Sequence, residues 1–345
     1  MIVKNESKNL RLNFSHLKDY IDQYVIIDTG STDDTREVIK EIFEGVPGKI
    51  VEHEFDDFST SRNSGMPFIT TDWIMMLDAD EELSGDLEFL KNLNQVKPDT
   101  NGIYIRLVEQ TLSMRALRLY KNRPEIKWVL RAHQYLQSTA GWEIEDNYDI
   151  FIDHHNNGSN KPNKFKNTLR LLKEDWEELK IPRCAFYIGC TYYWQSMYDE
   201  AKNWFKLYYG LDSSWWDEEL FKAKLYEGRC YQFLKNYDKA LECYKEAGRL
   251  KPYLAESFVW AAEVYRILGN NGEAVKLCEK FFLAKEPKTE SLWIERDIYN
   301  HTIPYILSIS SWYVGKMDLG KKACQRLIEN YGDVELYKNN LKFYN

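Results

Sequence analysis

The spacing of the apolar residues changes once along this chain, near residue 163, and the change calls for two architectures. Up to residue 155, strand-like and helix-like segments alternate. Tyr24-Val-Ile-Ile27 is an unbroken apolar run, as expected of a strand buried on both faces. Asp28 to Thr35 then reads as a turn containing Gly30 and several helix-capping side chains. Val38, Ile39, Ile42 and Phe43 place a helix over Arg36–Phe43. Ile50-Val51 begins a short strand, Ser59–Phe68 reads as a helix, and Trp73–Leu77 as the next strand. Such alternation indicates a parallel sheet. Gly102–Val108, Met114–Tyr120, Arg131–Gln137 and Asp149–His155 read as strands with no helices between them, so the expected sheet is mixed and mainly parallel.

Beyond residue 163 the signals are helical. Phe165–Leu179 is one helix, and after Pro182 a repeat emerges. Tyr198-Asp-Glu-Ala201 recurs as Tyr237-Asp-Lys-Ala240 and, more loosely, as Asn271-Gly-Glu-Ala274, with the alanines 39 and 34 residues apart. Each follows a helix rich in tyrosine and small residues, where close helix crossing needs little side-chain bulk. Pro252 and Pro287 close two of the units, because proline cannot continue a helical hydrogen-bond ladder. The interval and pattern resemble tetratricopeptide repeats, with a degenerate fourth unit over Tyr305–Tyr331. The domains expected are 1–160 and 161–345, with the boundary in Gly158–Pro162.

Bulk properties narrow the function. With 345 residues, 44% of them hydrophobic, the chain can bury two cores. A net charge of −8 is unsuited to covering a nucleic-acid backbone. No apolar run reaches membrane-spanning length, and the first ten residues carry no signal-peptide pattern. The expectation is a soluble cytoplasmic protein without membrane contact. The six cysteines lie in the helical half without a CxxC pair, as buried thiols would.

The chemistry concentrates where strands end. Asp78-Ala-Asp80 follows the strand ending at Leu77, and paired carboxylates at the mouth of a parallel sheet suit Mg²⁺ or Mn²⁺ bound together with substrate phosphates. Asp28 ends another strand, Arg62 sits on the helix before Trp73, Ile2-Val3 breaks into Lys4-Asn5-Glu6, and a late strand ends in His154-His155. Asp28, Asp78 and Asp80 are therefore expected to face one crevice.

Met1-Ile-Val-Lys-Asn-Glu6, Val25-Ile-Ile-Asp-Thr-Gly-Ser-Thr-Asp-Asp-Thr35, Asp56-Asp-Phe-Ser-Thr-Ser-Arg-Asn63 and Asp72-Trp-Ile-Met-Met-Leu-Asp-Ala-Asp-Glu81 together resemble glycosyltransferase family 2 with the GT-A fold. The repeats that follow resemble its bacterial and phage subgroup carrying tetratricopeptide repeats, which includes peptide S-glycosyltransferases. The resemblance implies a nucleotide-sugar donor, UDP-linked, and an inverting transfer. It implies that Asn5 and Glu6 line the nucleotide pocket and that Asp28 accepts hydrogen bonds from uracil or ribose. Arg62 would lie near the pyrophosphate, and Asp80, with Asp78, would hold Mn²⁺ or Mg²⁺ on it. A metal and a guanidinium there stabilise the charge growing on the leaving diphosphate.

His154 is favoured over His155 as a further metal or phosphate contact, although two residues separate His155 from Gly158 where the family has a His-x-Gly ending. Glu81 and Glu82 read as first-turn or loop carboxylates rather than ligands. Arg118-Leu-Tyr-Lys-Asn122 and Arg131-Ala-His133-Gln134 resemble a family segment that carries over Arg118 and His133 as phosphate-side or acceptor-side residues. Gln134 stands where the family has Glu and cannot act as a base, which leaves His133 or another group for proton transfer. The first strand is expected to be a stub over Ile2 and Val3.

Helical repeats form concave surfaces for extended peptides, which favours a protein or peptide acceptor. Two other readings compete. One is a non-catalytic repeat scaffold. The other is a phage-type transferase acting on modified DNA bases, with a basic groove of Arg115, Arg118, Lys121, Arg123, Lys127 and Arg131.

Overall fold

The computed structural model describes residues 1–158, 164–211, 216–332 and 334–344, and the chain divides into two compact units, Met1–Leu179 and Lys180–Asn345. The division falls after the helix Lys164–Leu179, later than the 160/161 boundary read from the sequence. That helix is tied to the first unit by Asp175, which accepts from the backbone N–H and the guanidinium of Arg131, both at 2.7 Å. Residues 159–163, on which most of the expected Gly158–Pro162 boundary falls, lie outside the described residues.

In the first unit, β1 (Ile2–Val3), β2 (Tyr24–Asp28) and β3 (Gly48–Glu52) pair in parallel in the order β1-β2-β3. Helices α1 (Ser7–Asn13) and α2 (Thr35–Ile42) flank them, and α3 (Phe58–Gly65) leads into β4 (Trp73–Met75). A second, mixed sheet runs β7-β6-β10-β5, with β4 antiparallel to β7. Its strands are β5 (Glu81–Gly85), β6 (Gly102–Glu109), β7 (Leu112–Lys121) and β10 (Ile144–His154). The short helix α4 (Glu88–Lys91) follows β5. Val3, Leu10, Ile26, Val38, Ile39, Leu77, Ile103 and Ile152 share one core.

Two expectations are corrected. Arg131–Gln137 is not a continuous strand. The chain forms β8 (Ile126–Val129), bends through 130–134, and returns as β9 (Tyr135–Ser138). Leu130 and His133 both take positive φ, 70° and 47°, which an extended strand excludes. Glu81 and Glu82 belong to no helical turn or loop: they open β5, opposite His154 and Asp153 of β10.

The second unit follows the helix α5 (Lys164–Leu179) and is built of helix pairs: α6 (Pro182–Trp194) with α7 (Tyr198–Gly210), α8 (Asp217–Phe233) with α9 (Tyr237–Leu250), α10 (Glu256–Ile267) with α11 (Asn271–Glu279), and α12 (Ile303–Tyr313) with α13 (Met317–Tyr331). A final helix, α14, spans Glu335–Lys342. The repeated small residues sit at the crossings. A Cβ on Gly228 of α8 would come within 2.6 Å of the Tyr244 ring on α9, and one on Gly189 of α6 within 2.7 Å of the Phe205 ring on α7. Ala201, Ala240 and Ala274 are fully buried, and all six cysteines are buried thiols.

Candidate functional site

The site begins where β1 and β2 end side by side. The parallel register sets Val3 against Asp28, so the chain leaves both strands at one edge. Asn5 turns there with φ 57°, a left-handed conformation that Asn adopts more readily than most residues. Its side-chain carbonyl accepts from the N–H of Thr32 at 2.7 Å and of Asp33 at 3.3 Å, and its own N–H donates to Ser31 at 3.0 Å. Glu6 donates its N–H to Thr35 at 2.9 Å and accepts from the Asn9 amide at 2.7 Å. Asn5 therefore shapes the 28–35 turn. Asp28 is fully buried and accepts from the Ser31 N–H at 2.9 Å and from the Arg36 guanidinium. Burial works against its charge, but those bonds outweigh it and hold the carboxyl below its usual range. Arg36 also reaches Glu52 at 2.5 Å.

The segment Asp57–Asn63 is built to aim Arg62. Asp57 caps α3 by accepting the Thr60 N–H at 2.7 Å. Asn63 clasps the backbone of Trp128, donating to its carbonyl at 2.8 Å and accepting its N–H at 3.1 Å. With the helix pinned at both ends, the buried Arg62 places one guanidinium nitrogen 2.8 Å from Asp78 and another 2.9 Å from the Met76 sulfur, over the Trp128 ring. Arg118 of β7 approaches from the other side, 3.0 Å from the same sulfur, 3.8 Å from Asp78 and 2.5 Å from Glu81. Asp78 thus lies between two guanidinium groups. Burial pushes its carboxyl up, but the arginines hold it well below the usual range. Glu81, only 2% exposed, accepts the Asp78 N–H at 2.8 Å, and burial raises its pKa despite Arg118. Nothing in the sequence reading anticipated Glu81 as a support. The signal available was its in-register position at the start of an alternating strand, Glu81-Glu-Leu-Ser84.

Asp80 has different neighbours. The antiparallel register of β5 and β10 sets His154 opposite Glu81, and the His155 N–H donates to the Asp80 carbonyl at 2.9 Å. His154 Nε2 lies 3.4 Å from an Asp80 oxygen, and its Nδ1 lies 3.7 Å from Glu109. The Gly158 N–H donates to the same Asp80 oxygen at 3.0 Å. A Cβ on Gly158 would come within 3.1 Å of Asp80 and 3.8 Å of Glu6, so a carboxylate from the turn before β5 and one from the start of α1 converge on one glycine. Burial disfavours charge on His154, but Asp80 and Glu109 outweigh it and push its pKa up to about 10. Asp80 is held below its usual range, its burial outweighed by His154 and the Gly158 N–H. His155 turns to Glu82 instead, at 3.1 Å. Glu109, at the end of β6, was not singled out from the sequence.

His133 is half-buried in the 130–134 bend, which is anchored to α3 by the Phe58 N–H donating to the Arg131 carbonyl at 3.1 Å. Four of the six cations in the expected basic groove have carboxylate partners, Arg123 with Glu125 at 3.9 Å among them. Arg115 pairs with Asp146 at 3.1 Å, Arg118 with Glu81, and Arg131 with Asp175 and Glu178.

Among the described residues, no group of three or more His, Cys, Asp and Glu is arranged to hold a metal alone. Asp80 offers one hard oxygen and His154, once a cation displaces its proton, one imidazole nitrogen, with the Glu6 carboxylate near Gly158. That donor set fits a small divalent cation completing its shell with water and phosphate oxygens.

An α/β domain whose ionic side chains gather past the ends of parallel strands is the build of a ligand-binding domain that works at its sheet edge. Residues 1–152 match the family model Glycosyl transferase family 2, and residues 227–253 match Tetratricopeptide repeat. The chain carries a glycosyltransferase family 2 domain followed by tetratricopeptide repeats. Among its relatives, a TPR repeat-containing protein of Synechococcus elongatus is 33% identical over 147 residues, covering 40% of this chain and 35% of the relative. The SPbeta prophage-derived glycosyltransferase SunS of Bacillus subtilis is 26% identical over 223 residues, covering 60% of this chain and 51% of the relative. The chain thus spans about a third to a half of the length of these relatives. Among solved structures, a thermophilic TPR protein of Thermus thermophilus aligns with 52% of this chain and 90% of its own at a TM-score of 0.36 and 13% identity. No helix among the described residues is long and apolar enough to cross a membrane.

Proposed function

We propose that this chain transfers a sugar from a nucleotide-sugar, UDP-linked, to a protein or peptide acceptor held partly by the helical repeats. The observation that carries the reading is the convergence of Glu6 and Asp80 on Gly158, with His154 beside Asp80. Asn5 and Glu6 would edge the nucleotide pocket, and Asp28 would present its buried carboxylate to the uracil or ribose. A divalent cation, Mn²⁺ or Mg²⁺, would be held by Asp80 and His154, with Asp78 at its flank, and would supply charge neutralisation for the departing diphosphate. Arg62 and Arg118 bracket Asp78 and fix positive charge beside the same place without reorganisation during reaction. His133 would serve the acceptor side and take the acceptor proton, since Gln134 has no basic group. The inverting course is that of the family.

The paired arginines argue against a nucleic-acid acceptor, because Arg115, Arg118, Arg123 and Arg131, four of the six cations expected to meet a phosphate backbone, already have carboxylate partners. The test is release of UDP from a panel of UDP-sugars with Mn²⁺, in the presence and absence of peptide. Metal-dependent release supports the reading. No release with any donor, together with tight peptide binding, would instead favour a non-catalytic scaffold. His133→Ala is expected to lower transfer to peptide more than donor hydrolysis, and equal loss of both would remove His133 from the acceptor side.

A further inference from the structure

His154 sets its two ring nitrogens against two different carboxylates. Nε2 lies 3.4 Å from Asp80 Oδ2, and Nδ1 lies 3.7 Å from Glu109 Oε2. Glu109 ends β6, one step past Val108 and Asp153, the last paired residues of β6 and β10, and this brings it alongside His154. Glu109 is itself held. Its other oxygen, Oε1, accepts from the Asn156 side-chain amide at 2.8 Å. Asn156 takes φ 50°, so the chain turns back as it leaves β10. The same return carries the Gly158 N–H to Asp80 Oδ2 at 3.0 Å. The segment 154–158 thus grips both carboxylates that flank its own imidazole. None of the three groups is freely solvated: the side chains of Asp80, His154 and Glu109 are 16%, 24% and 28% exposed.

We propose that Glu109 is a positioning residue for the divalent cation, acting through His154. The inference rests on the sugar-transfer reading and on the cation that reading places beside Asp80. An imidazole offers a lone pair from one nitrogen only when its proton sits on the other. Glu109 is the carboxylate at Nδ1. It keeps the proton on the side away from Asp80 and leaves Nε2 as the nitrogen that meets a cation there. A carboxylate in that place also raises the basicity of the opposite nitrogen, which strengthens its bond to a cation. Asn156 matters because it occupies Oε1, so Oε2 is the oxygen left for the imidazole. His155 supplies the contrast. It meets Glu82 at 3.1 Å with both side chains more exposed, 40% and 39%, as in an ordinary surface pair.

The test measures, on the full chain, how far Mn²⁺ tightens the binding of UDP. Calorimetric titration with UDP is run in EDTA and again in excess Mn²⁺. Glu109→Ala should cut the gain from Mn²⁺ about tenfold or more. Glu109→Gln keeps an acceptor oxygen without the charge and should recover part of the loss, and Asn156→Ala should show a smaller loss. UDP affinity in EDTA should be the same in all four proteins. With Mg²⁺ and UDP bound, the ¹⁵N resonances of labelled histidine should report His154 protonated at Nδ1 in the wild type, and Glu109→Ala should lose that signature. An equal gain from Mn²⁺ in the wild type and Glu109→Ala, or a matching fall in UDP affinity in EDTA, would overturn the positioning role and leave sugar transfer standing. No gain from Mn²⁺ in the wild-type chain would overturn both.

Discussion

The two units are assembled in different ways. In the first, the partners at the site come from remote parts of the sequence: Arg118 with Glu81, Gly158 with Asp80, Asn63 with Trp128. In the second, one helix-pair pattern repeats, with small residues such as Gly189 and Gly228 at the crossings and aromatic rings filling the space between neighbours. A site assembled from remote segments depends on every register being right, so single substitutions there should act sharply. A stack of similar helix pairs spreads its stability over many similar contacts, so substitutions there should act in small steps.

The sharpest test of that contrast is Asp80→Ala. It removes the carboxylate shared by His154 and Gly158 and should lower metal-dependent UDP-sugar turnover at least about a hundredfold. The helical circular dichroism signal should stay the same, and full activity in EDTA would contradict the role given to Asp80. Arg62→Ala comes next. It breaks an ion pair in which the arginine is buried and the aspartate is half-buried, and leaves Asp78 the 3.8 Å contact to Arg118. The loss should be about 2–3 kcal/mol, below that of a fully buried pair, which urea denaturation would register.

Gly228→Ala probes the other unit. Its new methyl meets the Tyr244 ring and should cost about 1–3 kcal/mol, with UDP affinity unchanged when measured by calorimetry. The smallest effect is expected of Glu218→Gln. Glu218 is 8% exposed and accepts the Leu292 N–H at 2.6 Å, and burial raises its pKa. A raised carboxyl pKa favours folding most below the unfolded value, and that contribution is lost as pH rises through the folded value. Neutral Gln should therefore stabilise by up to about 1 kcal/mol at pH 7, with the gain fading toward pH 4 in thermal melts.

Much of this contrast was readable in the sequence, because it is written in periodicity. The unbroken run Tyr24–Ile27 did become a strand paired on β3, and the alanines at 201, 240 and 274 did become buried crossing points. Strand ends pointed to Asp28, the last residue of β2, and to Asp78 and Asp80, just past β4. What periodicity does not encode is which carboxylate meets which cation. Glu81 looked like a loop residue because charge normally marks a surface, yet Arg118 from β7 makes its burial tolerable. The 130–134 bend was hidden for a related reason. Its residues have strand-like composition, and only the positive φ values of Leu130 and His133 break the run.

Asp78, Asp80 and Glu81 are close neighbours in the chain with three separate fates: clamped by guanidinium groups, set beside an imidazole, and enclosed in the interior. The span from Met76 to Glu81 therefore behaves like a ruler with fixed marks. Adding or removing one residue would exchange these carboxylates, driving an unmatched anion inward while stranding two arginines. Drift in this stretch should be confined to changes of side chain, and never of length.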